Sequence, residues 1–344
     1  MLIQNGEIRK NEEKGVKRCV FCHLKALFAE IDIILQSHLN ILWIDFPKMK
    51  KLSKEALIGY PAGIITGVTY GLNPLFGMPL MKNGAAIESI LFFRYGIAVL
   101  ILGALLLSDK QSFKVSWKQA GILFILGLLY TASSLSLFHA YNYIPSGLAT
   151  TLIFLYPVLV ALIMLFLRVV PSWQVWFAIA ATFVGVFIMT QSDSMQEINP
   201  IGVLFSLISA LVYAFFIVII NRSKTISNIS NSLLTFYVLL VGAIIFWSRV
   251  IASGEHLTTG IETNRDWLNL VGLAILPTIV STATLAVATR NIGATKASVL
   301  GVFEPITAIL VGTLVFGEAL TNNMIIGILI AMFAVTFMII STKR

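Results

Sequence analysis

Ten apolar stretches, each about long enough to cross a lipid bilayer as a helix, follow one another from Ala56 to the C-terminus. Hydrophobic residues make up 58% of the chain, and the mean hydropathy is +0.90. A bilayer core of about 30 Å is crossed by about 20 helical residues, whereas barrel strands would be short and alternating. We predict an all-α polytopic membrane protein with ten transmembrane helices. The predicted spans are 56–78, 87–107, 119–141, 148–167, 175–190, 201–220, 233–252, 267–289, 297–316 and 324–341.

The basic residues predict the orientation of these spans. The chain has 24 Lys and Arg residues and a formal charge of +8. With a cytoplasmic N-terminus, Lys82, Arg249 and Arg265 fall outside, Arg94 lies within a helix, and all other cations fall inside. The positive-inside rule therefore predicts two cytoplasmic termini in the inner (plasma) membrane. We expect no nucleic-acid partner, because these cations form no folded basic face.

Residues 1–48 do not share the apolar pattern. They lack the short apolar core and the cleavage site of a signal peptide, and Met49 opens a short basic stretch before the first span. We therefore expect an N-terminal extension that is untranslated, disordered or interfacial. Its Cys19, Cys22 and His23 match the pattern of c-type haem attachment. Haem attachment would need an exported segment, so we expect cytoplasmic thiols or untranslated sequence instead.

The rest of the chain is internally duplicated. Ser133 aligns with Ser281 and Pro157 with Pro305, one pair in the third and eighth spans and one in the fourth and ninth. Two sequential halves of five helices enter the membrane from opposite sides, which predicts inverted repeats and is typical of carriers. The expected repeats are residues 49–190 and 200–342. The first and sixth spans align at Gly59 with Gly202, Gly67 with Ala210, Tyr70 with Tyr213, and Gly71 with Ala214.

The two aligned prolines are expected to bend their helices. A proline frees the carbonyl of the residue one turn earlier, here Ile153 for Pro157 and Gly301 for Pro305. A freed carbonyl in a wet cavity can bind substrate or let the helix bend during gating. A static kink satisfied by a neighbouring hydroxyl is the alternative.

Two ionisable residues, Glu304 and Arg94, lie deep within predicted spans, where a charge costs at least about 2.5 kcal/mol on insertion scales. Glu304 is expected to bind a proton or a substrate amine, or else to serve as a structural partner for Arg94 or for helix backbone. Arg94 is expected to bind a carboxylate or phosphate group, or to have a structural role.

Aromatic and polar side chains suited to amphipathic metabolites are further candidates for the cavity, although each also fits a role in packing or at the membrane interface. We expect Glu318, between the last two spans, to cap the final helix. Apart from the haem-attachment pattern in residues 1–48, no pattern for a cofactor, a metal site, an enzyme nucleophile or an ATP phosphate loop is visible, so we expect none. The cavity candidates are Tyr70, His139, Asn142, Tyr156 and Tyr213.

Three motifs in order give the chain a family resemblance. They are the segment 140–147 with Tyr156 and Pro157, the segment 294–298 with 303–305, and the segment 316–321. This order resembles the EamA-like transporters of the drug/metabolite transporter superfamily. The resemblance covers about 290 residues and implies a ten-helix carrier that works by alternating access.

The resemblance further implies export of a small metabolite, with an amino acid as the first substrate to test and proton coupling as a possibility to test. A carrier of nucleotide sugars or drugs is the alternative within the superfamily. A diphosphate ligand is expected to need more than one fixed positive charge, and Arg94 is the only cation deep within a predicted span. A passive channel or a membrane sensor is the alternative of another class.

Overall fold

The computed structural model describes residues 54–168, 173–190, 198–254, 256–292, 297 and 300–341, and the described residues from Glu55 onward form one compact unit. The proposed extension, residues 1–48, lies outside the described residues. All elements assigned in the described ranges are helical. They are α1 (Lys54–Gly71), α2 (Asn73–Lys82), α3 (Ile87–Ser108), α4 (Trp117–Ala140), α5 (Ser146–Ile153), α6 (Tyr156–Phe166), α7 (Trp173–Thr190), α8 (Pro200–Arg222), α9 (Asn231–Ser253), α10 (Asn264–Ala274), a π-helical turn (Ile275–Val280), α11 (Ser281–Ile292), α12 (Phe303–Phe316) and α13 (Asn322–Ser341).

Six helical segments in the described ranges are long and apolar enough to cross a membrane, and three more are apolar but shorter. The prediction of an all-α, multi-pass membrane protein is therefore confirmed, while the number of ten spans stays a prediction. The six segments are Ile87–Ser108, Trp117–Ala140, Ser146–Phe166, Pro200–Ile220, Asn231–Ser253 and Asn264–Thr289, and the three shorter ones are Trp173–Ile188, Phe303–Phe316 and Asn322–Phe337.

The first predicted span is two helices rather than one. Pro74 has no N–H group to donate to the carbonyl of Tyr70, so the α-helical pattern stops at Leu72. The side chain of Asn73 replaces the missing donor, since its Nδ2 atom donates to the Tyr70 carbonyl at 2.8 Å. The first span therefore breaks at Leu72, two residues after Tyr70.

The prolines of the fourth and ninth spans also mark breaks. The fourth span is interrupted at Phe154 and Leu155, and Pro157 stands in the first turn of α6, where a missing N–H group costs little. In the ninth span, Pro305 stands in the first turn of α12. The expectation of a free Gly301 carbonyl is wrong, because that carbonyl accepts a hydrogen bond from the Glu304 N–H at 3.0 Å. A turn therefore replaces the simple kink.

The eighth predicted span contains a π-helical turn that the sequence pattern did not reveal. This turn runs from Ile275 to Val280, includes Pro277, and joins α10 to α11. Single π-turns within α-helices occur frequently at functional sites because they shift the side chains that follow. Here the turn places Thr278 in the buried interior, with 1% of its surface exposed.

The two halves of the chain are interleaved. Helix α4 packs against α8, α3 against α9, and α5 against α12, and each of these pairs joins the first half to the second. Helix α7 packs against α13 in the same way. The main buried cluster accordingly draws its residues from both halves.

Equivalent serines make the duplication visible in the hydrogen bonds. The Ser133 hydroxyl donates to the carbonyl of Ser209 at 3.1 Å, and the Ser281 hydroxyl donates to the carbonyl of Thr66 at 3.4 Å. Thr66 and Ser209 occupy matching positions, since they precede the aligned Gly67 and Ala210. Each half therefore makes the same contact with the other.

A second repeated contact is made by glycine. A Cβ atom added at Gly59 would lie 2.5 Å from the Cγ2 atom of Ile292, and one added at Gly202 would lie 2.7 Å from the Cγ2 atom of Ile144. Gly59 and Gly202 are aligned in the sequence, and Ile144 and Ile292 have the same spacing as the aligned Ser133 and Ser281. The first helix of each half thus approaches the other half at a position where only glycine fits.

Candidate substrate site

Five tyrosines from both halves meet inside the bundle and form what we call the tyrosine cluster (Tyr70, Tyr95, Tyr130, Tyr156 and Tyr213). The ring centroids of Tyr95 and Tyr130 are 5.8 Å apart, those of Tyr130 and Tyr213 6.4 Å, and those of Tyr156 and Tyr213 4.9 Å. Tyr70 lies close enough to Tyr130 and Tyr213 to interact with both. The cluster offers aromatic faces and hydroxyl groups to a ligand.

Arg94 of α3 reaches this cluster and is 2% exposed. Its Nε atom donates to the Oγ1 atom of Thr278 at 2.9 Å, and its guanidinium carbon lies 5.9 Å from the centre of the Tyr95 ring. Its Nη2 atom is buried and has no hydrogen-bond partner among the described residues. A buried guanidinium with an unused donor is a candidate binding point for a carboxylate or another oxyanion.

Glu304 of α12 is half-buried and faces the same cluster. Its carboxyl group interacts with Tyr70, Tyr156 and Tyr213. Within the described part of the chain the recorded ion pair is Arg249 with Glu88, at 3.0 Å. No ion pair between Glu304 and Arg94 is recorded there, and the structural role for Glu304 stays an alternative.

The close approach of α1 holds the backbone of Glu304 in place. A Cβ atom added at Gly71 would lie 2.5 Å from the carbonyl oxygen of Glu304 and 2.6 Å from the Cβ atom of Thr307. At Gly67, an added Cβ atom would lie 2.9 Å from the Cβ atom of Phe303. Since glycine at both positions lets α1 contact the start of α12 directly, Tyr70 and Glu304 are kept near each other.

Two predicted site residues are not part of the tyrosine cluster. The ring of His139 stacks on Phe205 of α8 with centroids 5.5 Å apart. Asn142 is exposed in the turn after α4, and its N–H donates to the carbonyl of His139 at 3.1 Å. Their contacts thus belong to the end of α4 and to its packing on α8.

Glu318 caps a different helix from the one expected. Its Oε1 atom accepts a hydrogen bond from the N–H of Ser146 at 2.9 Å, and its Oε2 atom accepts one from the N–H of Gly147 at 3.4 Å. Those N–H groups begin α5 in the other half of the chain. The expectation that Glu318 caps the last helix is therefore wrong, because the chain folds so that its carboxylate meets a helix N-terminus that is distant in sequence.

Tyr95, Tyr130, Thr278 and Asn73 are the candidate site residues that sequence reasoning missed. Tyr130 lies about one helical turn before Ser133 and Ser134, so the duplicated serines could have pointed to its face of α4. Asn73 precedes Pro74, a pairing that signals a helix break. Thr278 depends on the π-helical turn, for which the sequence carries no comparable signal.

Comparison with known proteins agrees with this architecture. The model of a family described as the EamA-like transporter family matches the chain twice, at residues 57–191 and 200–340. The chain belongs to the EamA-like transporter family. An uncharacterized transporter of Synechocystis sp. is 27% identical over 237 residues, which are 65% of this chain and 67% of the relative. An uncharacterized transporter of Archaeoglobus fulgidus is 29% identical over 126 residues, 37% of this chain and 43% of the relative.

One solved crystal structure has the same fold. Its TM-score is 0.58 at 16% sequence identity, and the match covers 81% of this chain and 95% of that chain. At this identity the likeness shows the fold alone. Together with the apolar helices, family membership makes this EamA-like protein a multi-pass membrane protein of a transporter family, which contacts lipid and handles small molecules.

Proposed function

We propose that this EamA-like protein is a secondary carrier that exports a small zwitterionic metabolite, with an amino acid as the first candidate. The observation that carries the proposal is the unsatisfied charge at the tyrosine cluster. Tyr70 interacts electrostatically with both Arg94 and Glu304, and no ion pair between those two is recorded among the described residues. A guanidinium and a carboxyl group that share one site without pairing with each other suit a ligand that carries both an anionic and a cationic group.

The proposed ligand contacts follow from the free groups. The carboxylate of the metabolite accepts from the Nη2 atom of Arg94, and its ammonium group donates to the carboxylate of Glu304. The rings of Tyr156 and Tyr213 supply faces for an ammonium or an apolar side chain. Charge-assisted hydrogen bonds of this kind contribute about 1.5–3 kcal/mol each.

The breaks in the helices support alternating access. The breaks at Leu72, at Phe154 and Leu155, and before Phe303 adjoin Tyr70, Tyr156 and Glu304 respectively. Broken helices beside a central ligand are typical of carriers with inverted repeats. In this proposal ten spans form two inverted repeats in the inner (plasma) membrane, with both termini in the cytoplasm and Glu304 as the residue for any proton coupling.

Counterflow in liposomes tests the proposal. The full chain is reconstituted in liposomes and shown to be folded and inserted. The liposomes are preloaded with unlabelled amino acids, and the entry of labelled amino acids is followed, with protein-free liposomes as background. We expect saturable counterflow. Flux without saturation or counterflow would favour a passive channel. Exchange of nucleotide sugars or drugs, without exchange of any amino acid, would contradict an amino-acid substrate and favour one of those classes instead.

A further inference from the structure

A polar groove lies at one end of the bundle, away from the tyrosine cluster. It runs between the segments 109–116 and 223–230, which connect α3 to α4 and α8 to α9, and so it joins the two halves of the chain. Its volume is about 290 Å³. The lining residues are Gln111, Ser112, Lys114, Gln119, Asn228, Ile229, Ser230 and Leu233.

Hydrogen bonds between the two segments hold the groove in shape. The Nε2 atom of Gln119 donates to the Thr225 carbonyl at 3.0 Å and to the Oδ1 atom of Asn228 at 3.1 Å. The Ser230 hydroxyl donates to the Oε1 atom of Gln111 at 3.0 Å. Because these bonds fix the walls from both sides, little ordering is required when a ligand enters.

The rim of the groove is strongly basic. Five exposed cations stand on the two connections and the helix ends beside them, whereas Asp109 is the acidic residue of these stretches. No ion pair is recorded for any of the five among the described residues. The groove therefore attracts anions. The five cations are Lys110, Lys114, Lys118, Arg222 and Lys224.

An exposed tryptophan places the groove at the membrane surface. Trp117 begins α4 directly after the segment 109–116, and 94% of its surface is exposed. Phe124, Ile125 and Leu128 further along α4 are also exposed, so this side of the helix faces lipid. Tryptophan is enriched where the hydrocarbon core meets the headgroups. The groove therefore lies at headgroup depth, on the side that the charge distribution assigns to the cytoplasm.

We propose that this groove binds the phosphate headgroup of an anionic phospholipid. The ammonium group of Lys114 supplies the charge, and the Ser112 hydroxyl and the Asn228 amide supply further hydrogen-bond donors at the lining. The acyl chains of the lipid lie along the exposed apolar side of α4. Basic pockets between helices at the cytoplasmic surface bind such headgroups, and each nearby cation contributes about 1 kcal/mol.

Native mass spectrometry of the full chain, released from detergent, tests this site. The protein is titrated with phosphatidylglycerol or with phosphatidylcholine, and the bound lipids are counted. We expect the first phosphatidylglycerol to bind at least tenfold more tightly than phosphatidylcholine. Lys114→Gln is expected to weaken that first binding event about fivefold. Ser112→Leu, which fills the groove without a change of charge, is expected to weaken it as well.

Arg265→Gln is the matched control, because it removes one exposed cation from the side predicted to be extracellular. It is expected to leave the first binding event unchanged. Equal binding of the two lipids, or an equal loss in Lys114→Gln and Arg265→Gln, would overturn the proposal. Displacement of the lipid by millimolar inorganic phosphate would instead identify a site for free anions, which also overturns the lipid assignment.

Discussion

The Nε atom of Arg94 donates a hydrogen bond to the Oγ1 atom of Thr278 at 2.9 Å, which links α3 of the first half to the π-helical turn of the second. The same hydroxyl donates to the Leu273 carbonyl at 3.1 Å. Thr278 is therefore both acceptor and donor, and it fixes one edge of the guanidinium. The Nη2 atom remains for a ligand.

Thr278→Val is predicted to destabilise the protein by about 2 kcal/mol, because a buried cation loses its acceptor and the π-turn loses a hydrogen bond. Thermal unfolding in detergent measures the effect as a lower midpoint. Thr289→Val is the control, since that exposed hydroxyl donates to the Leu285 carbonyl of its own helix. Equal midpoints for the two variants would contradict the role assigned to Thr278.

Arg94→Lys is predicted to keep the charge but to lose the fork that bonds Thr278 and a ligand together. The concentration of amino acid that gives half-maximal counterflow should rise by about tenfold or more, while the protein still inserts. Arg249→Lys is the matched control, because Arg249 pairs with Glu88 at a more exposed position. An unchanged half-maximal concentration in Arg94→Lys would remove Arg94 from the substrate site.

Glu304→Gln is predicted to lower the affinity for a zwitterion by tenfold or more, since the amide cannot pair with an ammonium group. If Glu304 carries the coupled proton, the variant also loses the pH dependence of transport that the wild type shows. Glu88→Gln controls for the loss of one carboxylate at the membrane surface. Normal transport with an intact pH profile in Glu304→Gln would contradict both roles of Glu304, the binding of the ammonium group and the binding of the coupled proton.

Gly71→Ala is predicted to destabilise the protein by about 1–3 kcal/mol, because its new methyl group would meet the backbone of Glu304 and the side chain of Thr307. Gly96→Ala is the matched control in α3. Nothing lies within 4 Å of an added Cβ atom there, and alanine favours helix by about 1 kcal/mol. Unfolding midpoints should therefore move in opposite directions. A shift in the same direction would contradict the close packing of α1 on α12.

Glu318→Gln is predicted to destabilise the protein by about 1 kcal/mol, because the start of α5 loses a charged cap supplied by the other half. Glu262→Gln, at an exposed position before α10, should leave the unfolding midpoint unchanged. The difference in unfolding midpoint between Glu318→Gln and the wild type should persist at high salt, because Glu318 is partly shielded from solvent. Equal unfolding midpoints for Glu318→Gln and Glu262→Gln would contradict a stabilising cap of α5 by Glu318.

Much of the fold follows from local sequence patterns, because apolar length and proline position are local properties. The helical stretches and the serine and glycine matches of the two halves were read from the sequence and recur as contacts, such as Ser133 with Ser209. The break after Tyr70 was missed, although Asn73 and Pro74 carry its signal. The π-helical turn at Thr278 and the long-range cap by Glu318 depend on packing between distant segments, which a local pattern does not encode.

In the candidate site, too, the sequence predicts local features but not the contacts between distant segments. Depth within a span identified Arg94 and Glu304, since burial of an ionisable group in a membrane protein is costly. Whether Arg94 and Glu304 form an ion pair could not be predicted from the sequence, because this depends on how α3 and α12 are placed relative to each other. No ion pair between them is recorded among the described residues, and each interacts electrostatically with Tyr70.

Counterflow of matched ligands tests the central claim most directly. One amino acid is compared with its primary amide, which lacks the carboxylate, and with its keto acid, which lacks the ammonium group. The account predicts saturable counterflow of the amino acid and at least tenfold weaker competition by either analogue. The discrimination against the amide should be lost in Arg94→Gln, which removes the cation, and that against the keto acid should be lost in Glu304→Gln. Equal competition by all three compounds, or flux that does not saturate, would contradict a carrier with a zwitterion site between Arg94 and Glu304.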